Sequence, residues 1–261
     1  MTYFSFLFQF LLVPLALLAL LLERDRRRKL ALPAHLHNLP GWAVVLLHVF
    51  IAVLYTTPWD NYLVATRVWW YDPTLVSGLT LGWVPIEEYT FFVLQTLLTG
   101  LWLLWLGRRL PRADRWSASG RIRLGAVFVA MLLWLPTPIL LIGRVAPATY
   151  LALILIWALP PMALQLAFGA DILWRYRCLV TTVILVPTFY LATADALAIR
   201  AGIWTISPEQ SLGVHLLGGL PLEEAIFFLV TNTLIGFGIT LAMAEESGTR
   251  LSSWLRRWRA R

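Results

Sequence analysis

The sequence predicts an all-α integral membrane protein with about seven transmembrane helices. Of its 261 residues, 59% are hydrophobic and only 13% are charged. Apolar runs long enough to cross the hydrocarbon core of a bilayer, at about 20 residues each, recur along the chain. The 14 Trp residues suit a chain with many membrane–water boundaries, where the indole ring is favoured.

The predicted spans lie, in chain order, at residues 3–22, 41–57, 85–106, 124–142, 150–168, 178–199 and 221–244. We expect the first span to be a retained helix, because its basic residues follow the apolar run, whereas a secretory signal carries them in front. The residues after the second span, 58–73, are too polar to face lipid and too aromatic for a solvated loop. We therefore expect them at the interface or in the protein interior. The basic tail, residues 250–261, has two Trp and predicts an interfacial anchor.

The basic residues predict the orientation of the chain. With seven spans, 18 of the 21 Lys and Arg fall on one side, and only Arg67, Arg144 and Arg200 fall on the other. The positive-inside rule then places the N-terminus outside and the C-terminus in the cytoplasm of a multi-pass cell-membrane protein. Orientation thus explains the net charge of +7, and we expect no nucleic-acid partner. The single cysteine, Cys178, excludes an internal disulfide and a Cys-based metal site.

An internal repeat divides the chain. Tyr55, Asp60, Trp69 and Pro73 recur at one constant offset as Tyr190, Asp195, Trp204 and Pro208, and the segment Pro85–Phe92 recurs as Pro221–Phe228 at an offset one position longer. Spans one to three therefore correspond to spans five to seven. Because the repeat period is four spans, an even number, both copies cross in the same direction, which predicts a parallel pseudo-two-fold axis along the membrane normal. The predicted units are residues 1–107 (first three-helix repeat), 108–146 (basic linker and connecting helix), 147–244 (second repeat) and 245–261 (basic cytoplasmic tail).

Each copy of the repeated segment places two adjacent carboxylates at the start of a membrane-length helix, Glu87-Glu88 in the first and Glu223-Glu224 in the second. Two interpretations compete. Proline and carboxylates in the first turn of a helix complement its exposed amides and its dipole, so the motif could serve only as a cap. Acidic groups inside a membrane are costly and tend to be functional. Two copies in register, each followed by Phe-Phe, favour the functional interpretation.

The carboxyl groups predict acid chemistry in an apolar cavity. Glu88 and Glu224 each begin a stripe, a row of residues spaced four apart on one face of the helix. Each stripe continues with an aromatic, a polar and a small residue, and Asn232 is the polar member of the second stripe. This pattern favours Glu88 and Glu224 as the cavity-facing pair, although the neighbouring stripes are also fairly polar. Carboxyl groups crowded in such a cavity share protons, and can donate one to an apolar substrate and take one back elsewhere. Facing aromatic rings could stabilise a carbocation, which suggests proton-initiated rearrangement of a polyene.

The repeat also duplicates an aspartate and a tryptophan, as Asp60 with Asp195 and Trp69 with Trp204. For the two aspartates, a role in the site and ion pairing with Arg67 or Arg200 are both open. The two tryptophans fit interface anchors better than site residues, but they remain candidates. The four His show no ligand spacing and no repeat partner, so no metal site is predicted.

These features resemble the membrane lycopene cyclases of the heterodimeric or fused type. The stretches that carry the resemblance are Pro58–Tyr62, Trp69–Tyr71, Val84–Phe92 and Pro221–Phe228. They span both halves of the chain, and the pair of Pro-x-Glu-Glu motifs is fairly specific. The chain resembles the fused form, with both halves in one polypeptide and without a phytoene synthase domain.

The resemblance implies a lycopene β-cyclase, which cyclises the linear ψ-ends of lycopene to β-ionone rings by acid catalysis, without redox change, in carotenoid biosynthesis. It implies that Glu87, Glu88, Glu223 and Glu224 are catalytic. The candidate substrate-binding residues are Phe91, Phe92, Phe227, Phe228, Asp60, Asp195, Trp69, Trp204 and Asn232. The implied partners are lycopene, a lipophilic C40 carotenoid, membrane lipid and other carotenoid-pathway enzymes. No Gly-x-Gly-x-x-Gly follows a predicted strand, so the flavin-binding type of cyclase is excluded and no cofactor is expected.

Two other functions fit part of the pattern. A carotenoid 1,2-hydratase-like enzyme would use the same protonation but quench the cation with water. A proton-coupled membrane transporter would use the carboxylates as a relay, although parallel repeats and the shortage of other intramembrane polar residues count against it. A retinal-binding seven-helix protein is excluded, because its Schiff base needs a membrane-embedded Lys and the only Lys, Lys29, lies in a predicted cytoplasmic linker.

Overall fold

The computed structural model describes residues 1–114 and 116–259; Arg115 of the predicted linker and residues 260–261 of the predicted tail lie outside the described residues. Seven of the helices described are long and apolar enough to cross a membrane. They are α1 (Tyr3–Arg27), α2 (Gly41–Ala65), α3 (Ile86–Leu106), α4 (Gly120–Ile142), α5 (Thr149–Arg175), α6 (Arg177–Arg200) and α7 (Leu222–Met243), and α8 (Glu245–Arg259) follows them. The prediction of a helical protein with seven membrane-length apolar helices is confirmed.

In the part of the chain that the structure describes, four short strands, which the sequence did not predict, lie between the helices. They are β1 (Trp69–Tyr71), β2 (Thr80–Leu81), β3 (Val84–Pro85) and β4 (Trp204–Ile206). β1 pairs antiparallel with β4, with Trp70 opposite Thr205, and β2 forms a hairpin with β3 that leads directly into α3. Residues 69–85 are therefore held by backbone hydrogen bonds next to the start of α3.

The second span is longer than predicted. We expected it to end at Thr57, but α2 continues through Pro58 to Ala65. Proline is tolerated within membrane helices because side chains and neighbouring helices can satisfy the backbone groups that it leaves free. The extension carries Trp59 and Asp60 on a membrane helix.

α3 and α7 form the centre of the bundle and contact each other and several of the surrounding helices. Each begins directly after a proline, Pro85 or Pro221, whose preset backbone suits a helix start. Small residues let neighbouring helices approach closely. A Cβ added to Gly100 of α3 would lie only 2.8 Å from the Val45 side chain of α2. α4 instead packs mainly on α5, and its helix is interrupted at Leu135.

Two tyrosine hydroxyls donate hydrogen bonds to helix carbonyls whose usual N–H donor is missing because a proline stands four residues later. Pro14 in α1 has no N–H, and the Tyr190 hydroxyl of α6 donates to the carbonyl four residues before it at 2.9 Å. The same arrangement occurs in α5, where the Tyr55 hydroxyl of α2 donates at 2.8 Å to the carbonyl four residues before Pro161. These bonds tie α6 to α1 and α2 to α5.

At the end of the bundle where α1 and α5 finish, ion pairs join separate parts of the chain. Asp25 of α1 accepts hydrogen bonds from Arg109 at 2.6 and 2.8 Å. Asp171 of α5 accepts from Arg250 of α8 at 2.9 and 2.6 Å. The hydrogen bond from Arg112 lowers the pKa of Glu245. The contacts of Arg250 and Glu245 fix α8 against the bundle.

Candidate active site

One cavity brings Glu88 and Glu224 together at the N-terminal ends of α3 and α7. Each glutamate is the third residue of its helix, and each is more than nine-tenths buried. The cavity has an empty volume of about 440 Å³ and is lined by Tyr3, Trp59, Trp69, Tyr71, Glu88, Phe91, Phe92, Tyr150, Asp195, Trp204, Ile206, Glu224, Phe227 and Phe228. It is therefore an aromatic cavity with a few carboxyl and phenol groups.

A tyrosine hydroxyl binds each of the two glutamates. The Tyr3 hydroxyl donates to Glu88 Oε2 at 2.5 Å, and the Tyr150 hydroxyl donates to Glu224 Oε1 at the same distance. A second phenol, that of Tyr71, donates to Glu88 Oε2 at 3.0 Å. Sequence reasoning missed all three tyrosines. A signal existed, because the first and fifth spans both open on Thr-Tyr, but the offset between these two is longer than the one that the rest of the repeat shares.

The other glutamate of each pair binds a loop and does not line the cavity. Glu87 Oε1 accepts a hydrogen bond from the Ser77 backbone N–H at 2.6 Å, and Glu223 Oε1 accepts one from the Leu212 N–H at 2.6 Å. Both side chains are fully buried. Adjacent residues on a helix point about 100° apart, so one member of each pair faces the cavity while its neighbour fixes the preceding loop.

The predicted phenylalanines form the wall of the cavity around the two carboxyl groups. Phe91 and Phe228 meet edge to face across the boundary between α3 and α7, with ring centroids 6.3 Å apart. Trp59, a residue that sequence reasoning missed, stacks on Phe227 with centroids 5.8 Å apart and planes 7° from parallel. Ring faces of this kind attract a positive charge, most strongly where water is excluded.

The duplicated aspartates and tryptophans differ between the halves. Trp204 Nε1 donates to Asp195 Oδ1 at 3.0 Å, and both residues line the cavity. Asp60 is fully buried but does not line the cavity, and neither of its oxygens has a hydrogen-bond partner among the described residues. Trp69 lines the cavity, with its Nε1 also unpartnered there.

The alternatives for these residues can be compared with the structure. Ion pairing of the aspartates with Arg67 or Arg200 was wrong, because no such pair occurs among the described side chains. Both tryptophans line the cavity, which supports them as candidate site residues.

Asn232 lies away from the cavity. Its Oδ1 accepts from the Thr99 hydroxyl at 2.7 Å and its Nδ2 donates to the Thr188 hydroxyl at 3.1 Å, so it connects α7 with α3 and α6. It follows Glu224 by eight residues, which corresponds to about 12 Å along a helix at 1.5 Å per residue. The stripe that contains both residues is therefore only partly cavity-facing, and the structure does not place Asn232 in the site.

This arrangement can move protons in a largely apolar cavity. Two carboxyl groups, each held in one orientation by a phenol, can act as acid and base toward a substrate between them. Within the described ranges, no group of three or more His, Cys, Asp or Glu side chains could hold a metal ion. The chemistry available from the lining side chains is therefore acid–base catalysis with aromatic stabilisation of positive charge.

Comparison with known proteins gives consistent matches. The family model "Lycopene cyclase" matches residues 1–106 and 147–241. A lycopene beta-cyclase of Halobacterium salinarum is 44% identical over 191 residues, which cover 73% of this chain and 78% of that protein. A bifunctional lycopene cyclase/phytoene synthase of Phaeosphaeria nodorum is 40% identical over 205 residues, 74% of this chain and 34% of that protein. No solved structure matches.

Proposed function

Because the chain belongs to the lycopene cyclase family, whose members are enzymes, we propose that it is a lycopene β-cyclase of the cell membrane. One observation supports this most directly: Glu88 and Glu224, each held by a tyrosine hydroxyl, line a single aromatic cavity. The substrate is lycopene, reached from the surrounding lipid. The product is its isomer with β-ionone rings, so no oxidant or reductant is consumed.

The reaction needs one proton given and one proton taken back. A carboxylic acid, Glu88 or Glu224, protonates C2 of the terminal double bond and leaves a cation at C1. The C5–C6 double bond attacks C1 and closes the ring, which moves the positive charge to C5. Loss of the C6 proton to a carboxylate then forms the ring double bond. The proton balance is zero, and the surrounding aromatic faces stabilise the cation along the way.

The tyrosines that hold the glutamates are positioning residues in this scheme. A carboxyl group must lie within hydrogen-bond reach of the carbon that it protonates, and a fixed orientation raises the fraction of bound substrate in that geometry. Tyr3 and Tyr150 come from the first turns of α1 and α5, so the glutamates of α3 and α7 are oriented by neighbouring helices. Glu87 and Glu223 instead hold the loops that precede α3 and α7.

We also propose that residues 1–107 and 147–244 are parallel repeats related by a pseudo-two-fold axis, with residues 108–146 as connector and 245–261 as tail. Equivalent positions make equivalent contacts, such as Tyr3 to Glu88 with Tyr150 to Glu224. Trp70 and Thr205 are equivalent positions of the repeat and lie opposite each other at the centre of the β1–β4 pair, as a two-fold axis requires. The two stretches matched by the family model leave out residues 107–146.

The proposed orientation puts the N-terminus outside and the tail in the cytoplasm. It is supported by the basic residues gathered at the end of the bundle where α1 and α5 finish, including Arg109, Arg112 and Arg250. The glutamate cavity then lies in the outer half of the membrane. Alkaline phosphatase inserted after residue 77 is expected to be active and after residue 111 inactive; the reverse result would contradict the orientation.

Expression of the whole chain in a lycopene-accumulating bacterium tests the proposed activity. Extracted pigments are expected to contain cyclised carotenoid of unchanged mass, with lycopene depleted. Unchanged lycopene in cells whose membranes contain the protein would overturn the proposal. An acyclic product that has gained water would do so as well, and would identify a hydratase.

A further inference from the structure

A second cavity, the α2–α5 groove, adjoins the glutamate cavity. It has an empty volume of about 760 Å³ and lies between α2, α3, α5 and α7, with Ile51, Tyr55, Thr96, Pro161 and Leu234 among its lining residues. Phe92 and Phe227 line both cavities, so they form the boundary between the groove and the two carboxyl groups.

The α2–α5 groove reaches the lipid-facing surface. Ile51 is 47% exposed and Tyr55 is 41% exposed, although both lie in the membrane-spanning part of α2. Two amide groups along the groove donate hydrogen bonds within the protein: the Gln95 amide donates to the Thr231 hydroxyl at 3.0 Å, and Gln165 Nε2 donates to the Leu234 carbonyl at 2.9 Å. The groove therefore connects lipid with the glutamate cavity along a mostly apolar surface.

The equivalent place in the other half, the α1–α6 groove, is separate from the glutamate cavity. It has an empty volume of about 480 Å³ and is lined by Pro14, Leu18, Leu98, Trp102, Val186, Pro187 and Tyr190. None of these residues lines the glutamate cavity. In the second repeat the position of Trp102 is taken by Gly238, against which the His48 side chain of α2 lies. The two halves thus differ in access although they resemble each other in sequence.

We propose that the α2–α5 groove binds the polyene chain of the carotenoid and is its route from the lipid, with the reacting end placed beyond Phe92 and Phe227. This rests on the proposed function, because it takes the occupant to be the substrate of the glutamate cavity. The occupant must be long, apolar and lipid-soluble, since it extends from an aromatic cavity along an apolar surface to the bilayer. The α1–α6 groove does not take this role, because it has no shared boundary with the cavity.

Matched substitutions in the two grooves test this proposal. Ile51 and Val186 are equivalent positions of the repeat, line corresponding grooves and are each 47% exposed, so a larger side chain at either one points toward lipid and groove without burying polar groups. Ile51→Trp is expected to lower lycopene conversion about tenfold by obstructing the polyene, whereas Val186→Trp stays within about twofold of wild type. Membrane abundance of each protein is measured alongside, to separate lost binding from lost folding.

Binding is read separately from turnover. Carotenoid that co-purifies with the Glu224→Gln protein is expected to fall about tenfold when Ile51→Trp is added and to be unchanged when Val186→Trp is added. Equal loss in both variants, loss with Val186→Trp alone, or loss in neither would overturn the groove assignment. If the wild-type protein leaves lycopene linear, the proposed function fails by itself, while the co-purified pigment still reports on the groove.

Discussion

The two halves of the cavity hold their glutamates in the same way but surround them differently. Glu88 accepts hydrogen bonds from two phenols, those of Tyr3 and Tyr71, whereas Glu224 accepts one, from Tyr150. Ile206 takes the position of Tyr71 in the second repeat and has no hydroxyl to offer. The shared contact supplies what any proton-transferring carboxyl group needs, a fixed orientation. The differing contacts make the two carboxyl groups chemically unequal, as separate roles in giving and taking a proton require.

The largest expected effect comes from removing either carboxyl group. Glu88→Gln and Glu224→Gln keep the side-chain size but remove the exchangeable acid, so each is expected to lower cyclised product at least about 100-fold, within the range known for general acid–base groups. Pigment analysis at matched membrane abundance measures this. Near-normal activity in both variants would mean that the two Pro-x-Glu-Glu motifs serve only as helix caps. Loss in only one variant would show that a single half carries out both proton transfers.

Substituting Tyr3 and Tyr150 tests the difference between the two halves, because Glu88 accepts from two phenols and Glu224 from one among the described residues. Tyr150→Phe removes the one phenol that donates to Glu224 among the described residues, whereas Tyr3→Phe leaves Glu88 with Tyr71. We therefore expect Tyr150→Phe to reduce the turnover rate about tenfold more than Tyr3→Phe, since a lost oriented hydrogen bond to a charged group is worth about 1.5–3 kcal/mol. Tyr3→Phe combined with Tyr71→Phe is expected to match Tyr150→Phe. Equal effects of the two single variants would mean that the second phenol contributes nothing.

The loop-binding glutamates should affect stability more than chemistry. Glu87→Gln and Glu223→Gln each replace a carboxyl group that accepts a hydrogen bond from a backbone N–H, that of Ser77 or Leu212. The expected cost is about 1–2 kcal/mol of unfolding free energy. Thermal melting of purified protein measures it, and cyclisation is expected to stay within about tenfold of wild type. If either variant has normal stability but loses as much cyclisation activity as Glu88→Gln, Glu87 and Glu223 take part in proton transfer.

Much of the candidate site was predictable because the repeat puts its residues in register. The Pro-x-Glu-Glu-x-x-Phe-Phe segments identify both glutamate pairs and the phenylalanines without a structure, because acidic groups at the start of a membrane helix are costly and tend to be functional. The choice between Glu87 and Glu88 was not predictable with the same clarity. Both neighbouring stripes carry polar residues, and the loop that Glu87 binds was unknown.

Other features depended on tertiary structure. Tyr3 and Tyr150 lie outside the common offset, because the connection between the first two helices differs in length between the repeats, and only Thr-Tyr marks them. The strands β1 and β4 have three residues each, too few for a period-2 pattern to be visible. The course of α2 through Pro58 could not be seen either, since proline ends most helices in water and is tolerated in a membrane bundle.

The smallest expected effect concerns the two tryptophans, which lose the same atoms on replacement by Phe. Trp204→Phe removes the N–H that donates to Asp195 at 3.0 Å, whereas Trp69 Nε1 has no partner among the described residues. Both variants lose the same indole atoms, and only Trp204→Phe also loses a hydrogen bond, so the loss of unfolding free energy is expected to be about 1–2 kcal/mol larger for Trp204→Phe. Thermal melting of the two purified variants measures this difference. Equal destabilisation would mean that Asp195 gains nothing from the indole, and the asymmetry between the halves would then lie in the phenols and the grooves alone.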